Sequence, residues 1–135
     1  MNKEITKYLT NLSLNKSTIR NNIEHTEDIL GVKFPDDYKC FIENYNGAEG
    51  QIGSNSYIIF WSIEDVIKLN LAYNVEEFAS GLILIGSDGS DIAYAIDMRC
   101  ENKAIVEVPF IGMNLDEVKL CSDTFHGFLN YLYNI

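Results

Sequence analysis

The chain has 135 residues, of which 47% are hydrophobic and 22% charged, and its formal net charge is −10. This composition excludes a disordered chain, and the length fits one domain over residues 1–135 that folds without a metal or a disulfide. No apolar run approaches the roughly 20 residues that a helix needs to cross a membrane.

Two helices are predicted at the start of the chain. Residues 4–12 have a weak apolar face, and Ser17 is the expected N-cap of a second helix over 17–30. Gly31 can take a positive φ and end that helix. The apolar positions of the second helix recur at helical spacing at Ile19, Ile23, Thr26 and Leu30.

A third helix is predicted over residues 36–45. Pro35 suits its first turn, and the two acids that follow suit its positive end. Its apolar face predicts buried rings at Tyr38, Phe41 and Tyr45, with both tyrosine hydroxyls reaching the surface. Lys39 is expected on the exposed face, and Asn46-Gly47 is expected to end the helix.

The middle of the chain changes from helical to strand-like patterns. The three glycines within residues 47–55 predict a loop, and the apolar run 57–61 predicts a strand. Ser62 is placed to cap a short helix, with Asp65 in the position of a capping-box acid. Residues 71–80 fit partly helix and partly loop.

The rest of the chain predicts a sheet and a final helix. Strands over 82–86 and 92–97 form an antiparallel hairpin, and 104–108 adds a strand that ends at Pro109. A helix over 123–133 follows, started by Ser122 or Asp123. We expect an α+β fold in which an antiparallel sheet is flanked by N-terminal and C-terminal helices and covered on one face.

Several segments, in order, resemble the SUKH superfamily, which contains bacterial immunity proteins and a yeast cell-wall-assembly regulator. The first is Leu30-Gly31, then an apolar-Pro-x-x-Tyr ending at Tyr38, then a helix that ends in Asn46-Gly47. Further pieces are Trp61 with a short helix up to Asn70, the strand–glycine turn–strand 82–97, and the Ser-x-x-Phe-x-x-Phe-Leu helix 122–129. The resemblance covers roughly residues 24–133. One departure is Ser90-Asp91, where the family often has more glycine.

The resemblance implies a SUKH-like fold and a non-catalytic immunity protein that binds a cognate toxin and blocks it. A regulatory host partner is the alternative, as for the yeast regulator. The net charge after Lys33 is −11, which favours a basic partner, such as a nuclease toxin, and disfavours direct binding to nucleic acid or a membrane. Simple solubility would also explain the charge. The sequence leaves a homo-oligomer open.

Catalytic and metal-binding patterns are weak. His25 and His126 lack a His or Cys at metal spacing, and Asp88, Ser90 and Asp91 lack the pattern of a calcium loop. We therefore expect no cofactor, no metal site and no catalytic residue. An unrecognised hydrolase that uses Asp88 or Asp91 with His126 remains the third alternative.

The candidate partner-binding residues are acids in loops, because loops on a rigid scaffold often carry function and carboxylates pair with Arg or Lys. They are Glu49, Glu76, Glu77, Asp88 and Asp91. The alternative is that they are solvated turn residues. In that case the contacts with a partner should be sought around Tyr57 and Glu64. Trp61 fits either a core residue or a binding platform.

The opening residues have no apolar signal-peptide core. Cys40, Cys100 and Cys121 are odd in number and widely spaced, which indicates free or buried thiols in a reducing compartment. Both observations lead us to expect a cytoplasmic protein.

Overall fold

The computed structural model describes residues 3–135. It contains helices on both sides of one sheet. The α-helices are α1 (Arg20–Leu30), α2 (Asp36–Asn44), α3 (Ile63–Ala72), α4 (Val75–Phe78) and α5 (Phe125–Asn134), and 3₁₀ helices span Lys3–Leu9 and Leu115–Glu117. The strands are β1 (Leu12–Leu14), β2 (Ala48–Ile52), β3 (Ser56–Phe60), β4 (Leu82–Ser87), β5 (Ile92–Asp97), β6 (Ile105–Pro109) and β7 (Lys119–Ser122).

The seven strands described form a single sheet in which each strand pairs antiparallel with the next one along the chain. This confirms the predicted α+β fold with an antiparallel sheet. The four predicted strands are all present, each within one residue of the predicted ends. Within residues 3–135, no helix combines the length and apolar character that crossing a membrane requires.

The predicted loop over residues 47–55 is wrong, because β2 occupies its first half. In β2, Ala48 and Ile52 are buried while Glu49 is exposed. Gly50 belongs to the sheet, since a Cβ there would lie 2.7 Å from the Asn11 carbonyl oxygen. The glycine therefore allows the chain leading into β1 to approach closely, and it does not mark a loop.

The ends of several helices differ from the predictions. Residues 3–9 form a 3₁₀ helix followed by β1, not one helix over 4–12. Ile19 is the N-cap of α1 and makes no side-chain cap bond, so Ser17 does not cap it. Thr124 caps α5, where its hydroxyl accepts a hydrogen bond from the Gly127 N–H. The roles predicted for Gly31 and Ser62 are confirmed.

The expectation that helices cover only one face of the sheet is wrong. On one face α2, α5 and the sheet enclose a cluster of aromatic rings, with centroids of Phe41, Phe60 and Phe125 5.1–5.4 Å apart. On the other face Val66 of α3 and Val75 of α4 pack with Leu84 and Ala95 of the central strands. Burial on both faces explains the almost unbroken apolar sequences of β4 and β5.

Tyr38 also differs from expectation. Its ring lies between Phe34 and Phe125, with centroid distances of 5.2 and 5.4 Å. Its hydroxyl is buried and has no hydrogen-bond partner among the described residues. Burial raises the pKa of this hydroxyl far above its usual value, so Tyr38 stays neutral and acts as a core aromatic.

Asn70 joins α3 to the sheet where β3 ends. β3 pairs with β4 only at Ile59–Ser87 and Phe60–Gly86. Beyond that point, the Asn70 amide accepts a 2.8 Å bond from the Leu84 N–H and donates a 2.9 Å bond to the Leu84 carbonyl. One side chain thus satisfies both backbone groups that a neighbouring strand would have paired.

We expect Asn70→Ala to lower the free energy of unfolding by about 3 kcal/mol, because two buried backbone groups would lose their partner. Urea titration would measure the loss. Asn22→Ala, which removes the same amide from an exposed position of α1, is the control and should cost under about 0.5 kcal/mol. Equal losses would show that the Asn70 bonds contribute nothing specific.

A buried ion pair joins α1 to α2. The Glu27 carboxylate, with 1% of its side chain exposed, lies 3.2 Å from the Lys39 ammonium, with 16% exposed. It also accepts a 2.7 Å hydrogen bond from the Phe34 N–H. The expectation that Lys39 lies on the exposed face is therefore wrong, because its ammonium packs against the buried carboxylate of Glu27.

We expect Lys39→Met to cost about 2 kcal/mol of stability, because a buried carboxylate would lose its counter-charge. Lys68→Met, on the exposed side of α3, should change the free energy of unfolding by under about 0.5 kcal/mol. A double-mutant cycle with Glu27→Gln should show coupling. If Lys39→Met and Lys68→Met behave alike, the pair is not formed in solution.

Candidate functional site

Part of the sheet face opposite the aromatic cluster is open to solvent. Strand alternation places Glu49, Gln51 and Tyr57 on this face, where Gln51 pairs with Tyr57 across β2 and β3, and all three are exposed. Ile59 and Trp61 follow Tyr57 on the same face, closer to α3. The open area therefore adjoins the second core cluster.

A groove of about 440 Å³ lies beside Trp61, and we name it the Trp61 groove. Strand β3, the C-terminal part of α3, the β4–β5 turn and the residues after β6 contribute to it. Its lining residues are Ile59, Trp61, Leu69, Tyr73, Ser87, Gly89, Ser90, Asp91, Phe110 and Ile111.

One wall of the Trp61 groove is aromatic. The rings of Tyr73 and Phe110 lie with their centroids 4.8 Å apart at an interplanar angle of 36°. Ile111, at the rim, is 91% exposed. Trp61 is 9% exposed and packs mainly with the core, so the structure favours its role as a core residue that contributes an edge to the groove.

A second, smaller concavity of about 180 Å³ adjoins the first, and both are lined by Ile59 and Trp61. Glu49 and Asp65 line the smaller one, while Asp91 lines the Trp61 groove. Three acids from β2, α3 and the β4–β5 turn thus surround the same two apolar side chains.

The β4–β5 turn is held by its own side chains. The Asp88 carboxylate accepts hydrogen bonds from the Ser90 N–H at 2.8 Å and the Ile92 N–H at 3.1 Å. The Ser87 hydroxyl accepts a 3.0 Å bond from the Gly89 N–H. Asp88 therefore has the role of a turn residue, because one oxygen of its carboxylate, Oδ1, accepts both backbone bonds.

Asp91 differs from Asp88 in this respect. Its backbone carbonyl accepts a 2.9 Å bond from the Phe110 N–H, which holds it beside the aromatic wall. Its side chain is exposed, and its carboxylate makes no hydrogen bond or ion pair with any residue from 3 to 135. Asp91 is thus placed in position by the backbone and free at its side chain.

Glu49 faces the neighbouring strand. The Tyr57 hydroxyl donates a 2.5 Å hydrogen bond to the Glu49 carboxylate. This bond, with partial desolvation and the negative charge of Glu49, raises the pKa of the Tyr57 hydroxyl. The two residues form an exposed polar pair at the edge of the open face.

Glu76 and Glu77 lie elsewhere. Both are exposed on the four-residue helix α4, and Glu76 accepts a 3.2 Å hydrogen bond from the Ser80 hydroxyl. Neither lines the two concavities around Trp61. The structure therefore brings Glu49 and Asp91 to one surface, uses Asp88 to support the turn, and leaves Glu76 and Glu77 apart.

His126 does not meet the acids of the β4–β5 turn. It lies at the start of α5, on the side of the aromatic cluster, and lines a concavity with Asp36, Asp37 and Cys40. Its backbone N–H donates a 3.0 Å bond to Asp37. The pairing of Asp88 or Asp91 with His126 is therefore contradicted. Among residues 3–135, no three His, Cys, Asp or Glu side chains are grouped to hold a metal ion.

The three cysteines form no disulfide. Cys121 is partly buried against the core, and desolvation, with the nearby charge of Glu107, raises the pKa of its thiol to about 12. A thiol with such a pKa is not ionised at neutral pH and is a poor nucleophile.

Asn46 and Gly47 connect α2 to the site. The Asn46 side chain accepts a 2.7 Å bond from the Ile63 N–H and donates a 2.8 Å bond to Glu64, at the start of α3. Gly47 has φ 105°, and a Cβ there would lie 2.9 Å from the Phe60 carbonyl oxygen. The pair therefore orients the start of α3 beside Trp61. The sequence analysis predicted only that these two residues end a helix and missed this role.

Sequence reasoning also missed the aromatic wall. Tyr73 falls in a segment of mixed pattern, and Phe110 and Ile111 follow a strand end. The one available signal was Phe110-Ile111 itself, two large apolar residues directly after Pro109 and before Gly112. Apolar residues between turn formers point to a packing or binding role.

The architecture is that of an α+β domain of the SUKH type. The family described as SMI1/KNR4 (SUKH-1) matches residues 20–131, and the chain belongs to this family. The chain is also similar to the protein YnaB of Bacillus subtilis (strain 168), with 40% identity over 75 residues. That alignment covers 56% of this chain and 46% of YnaB, so the match spans about half the length of its relative.

The two acids of the β4–β5 turn should differ in their effect on stability. We expect Asp88→Ala to cost about 1–2 kcal/mol, because two backbone N–H groups lose their acceptor. Asp91→Ala should cost under about 0.5 kcal/mol, since its side chain is exposed and unbonded. Urea denaturation of both variants tests this, and a larger loss for Asp91→Ala would contradict the geometry.

Proposed function

We propose that this protein is a non-catalytic bacterial immunity protein that binds a cognate protein toxin in the cytoplasm and neutralises it. The observation that carries the proposal is the open, acid-rimmed face around Ile59 and Trp61, in a domain of the SUKH-1 family. Its partly apolar surface with carboxylates at the rim has the composition of a protein-binding site.

The charge of the chain supports a basic toxin. Residues 34–135 carry five basic and 16 acidic residues. Such a field speeds the encounter with a basic protein and disfavours nucleic acid. A nuclease with a basic cleft for its substrate is the partner that fits best, because carboxylates of the immunity protein would occupy the positions of phosphates and block the cleft.

The candidate acids contribute to toxin binding in different ways. Glu49 and Asp91 contact the toxin directly, on either side of Ile59 and Trp61. Asp88 contributes by holding the turn that carries Asp91. Glu76 and Glu77 lie outside the Trp61 groove and form a second acidic patch on α4, which contributes to steering more than to contact.

The experiment takes the gene next to that of this protein, which the proposal expects to encode the toxin. Co-expression should protect cells from the toxin, and the purified proteins should form a complex. In stopped-flow measurements, association should slow by at least about tenfold from low to physiological and higher salt, with a smaller change in dissociation. Rates that stay flat across this range would rule out electrostatic steering.

Matched variants locate the contact. Glu49→Gln with Asp91→Asn should weaken both complex formation and protection. Asp28→Asn with Glu101→Gln removes two exposed carboxylates that line neither concavity around Trp61, and it should preserve both. A complex that neither pair weakens would place the interface elsewhere, whereas a toxin that binds no form of the protein would overturn the immunity function.

A further inference from the structure

We propose that the Trp61 groove receives an arginine side chain of the partner. Its guanidinium stacks on the Tyr73–Phe110 wall and pairs with the Asp91 carboxylate. This inference rests on the proposed function, because it takes the partner to be a basic protein.

The aromatic wall favours a planar cation. Tyr73 is 41% exposed at the protein surface, and the Phe110 ring packs against it with centroids 4.8 Å apart. A guanidinium stacks on such a ring through both cation–π attraction and flat contact, whereas an ammonium offers only a compact charge. The wall therefore distinguishes arginine from lysine.

Asp91 supplies the counter-charge at low cost. Its backbone is held by the bond from the Phe110 N–H, and the turn around it is fixed by Asp88. Its carboxylate is exposed and has no partner within residues 3–135, so binding would break no internal bond. A carboxylate placed in advance can form a bidentate pair with a guanidinium.

Apolar residues complete the groove. Ile59, Leu69 and Ile111 lie around the aromatic wall and can contact the methylene stem of an arginine, which packs on apolar surface while its head group remains polar. Ile111 is 91% exposed in the free protein, and a partner seated on the groove would cover it. The groove thus matches both the charged and the apolar parts of this side chain.

Charge argues against other occupants. Asp91, Glu49 and Asp65 surround the open face, and the whole chain carries −10. A phosphate, a nucleotide or an anionic lipid would be repelled. A second copy of the same acidic chain would bring like charges together at this face, and ultracentrifugation of the free protein would reveal such a dimer and overturn the proposal.

The test uses Trp61, the one tryptophan in the sequence, as a fluorescent probe beside the groove. Three acetylated and amidated peptides, Gly-Gly-Xaa-Gly-Gly with arginine, lysine or citrulline at Xaa, are titrated at low salt and millimolar concentration. Citrulline keeps the planar shape of arginine without its charge. We expect arginine to bind about fivefold tighter than lysine and about tenfold tighter than citrulline.

Two variants and a control assign the contacts. Asp91→Asn should weaken the arginine peptide about tenfold, and Tyr73→Ala about fivefold, with both proteins still folded by circular dichroism. Glu101→Gln makes the same change in net charge outside the groove and should leave binding unchanged. Equal binding of the three peptides, no binding at all, or equal effects of Asp91→Asn and Glu101→Gln would overturn the inference.

The two proposals fail separately. A protein that protects cells but shows no preference for arginine overturns the groove inference and leaves the immunity function standing. A protein that selects arginine at the groove but neutralises no adjacent toxin overturns the proposed function alone.

Discussion

The double hydrogen bond between Asn70 and Leu84 is the constraint on which the site depends. β4 continues past the end of β3, so its backbone groups would be left unpaired in the protein interior, at a cost of about 1–3 kcal/mol each. Asn70 satisfies the N–H and the carbonyl of Leu84 and lets a helix lie where a strand would otherwise be needed. Because the chain leaves the sheet at Trp61, α3 can bring Leu69 and Tyr73 to the edge of the open face.

The two faces of the sheet have different roles: one is packed and stabilises the fold, and the other is partly exposed to solvent. The closely packed rings around Phe41 and Phe125 on one face, together with the Glu27–Lys39 pair, hold α1, α2 and α5 in place. This core does not involve the opposite side of β2 and the start of β3, where Glu49 and Tyr57 remain exposed. An apolar and acidic surface can therefore be presented there without loosening the fold, as a rigid scaffold presents a binding surface.

The sequence correctly predicted the elements whose hydrophobic pattern does not depend on contacts with distant parts of the chain. The apolar runs of β4 and β5 and the periodic faces of α2 and α5 were predicted close to their observed ends. β2 was not, because its glycine serves a close approach by a distant segment. The surroundings of Lys39 and Tyr38 were predicted wrongly for the same reason, because they depend on contacts with Glu27 and Phe125, which lie outside α2. In the candidate site, Glu49 and Asp91 were selected from the sequence as acids in predicted loops. Tyr73 and Phe110 could not be selected in this way, because only the folded chain brings their rings together.

The β4–β5 turn shows why acids that look equivalent in the sequence are not equivalent in the structure. Asp88 and Asp91 lie three residues apart, yet Asp88 directs its carboxylate inward to two backbone N–H groups while Asp91 directs nothing inward. Both bonds to Asp88 end on one carboxylate oxygen and tie that side chain to the turn, whereas the exposed Asp91 carboxylate holds no such bond and would give up only water to bind a cation. The stability of the turn and the availability of its charge therefore come from different residues, and the second depends on the first.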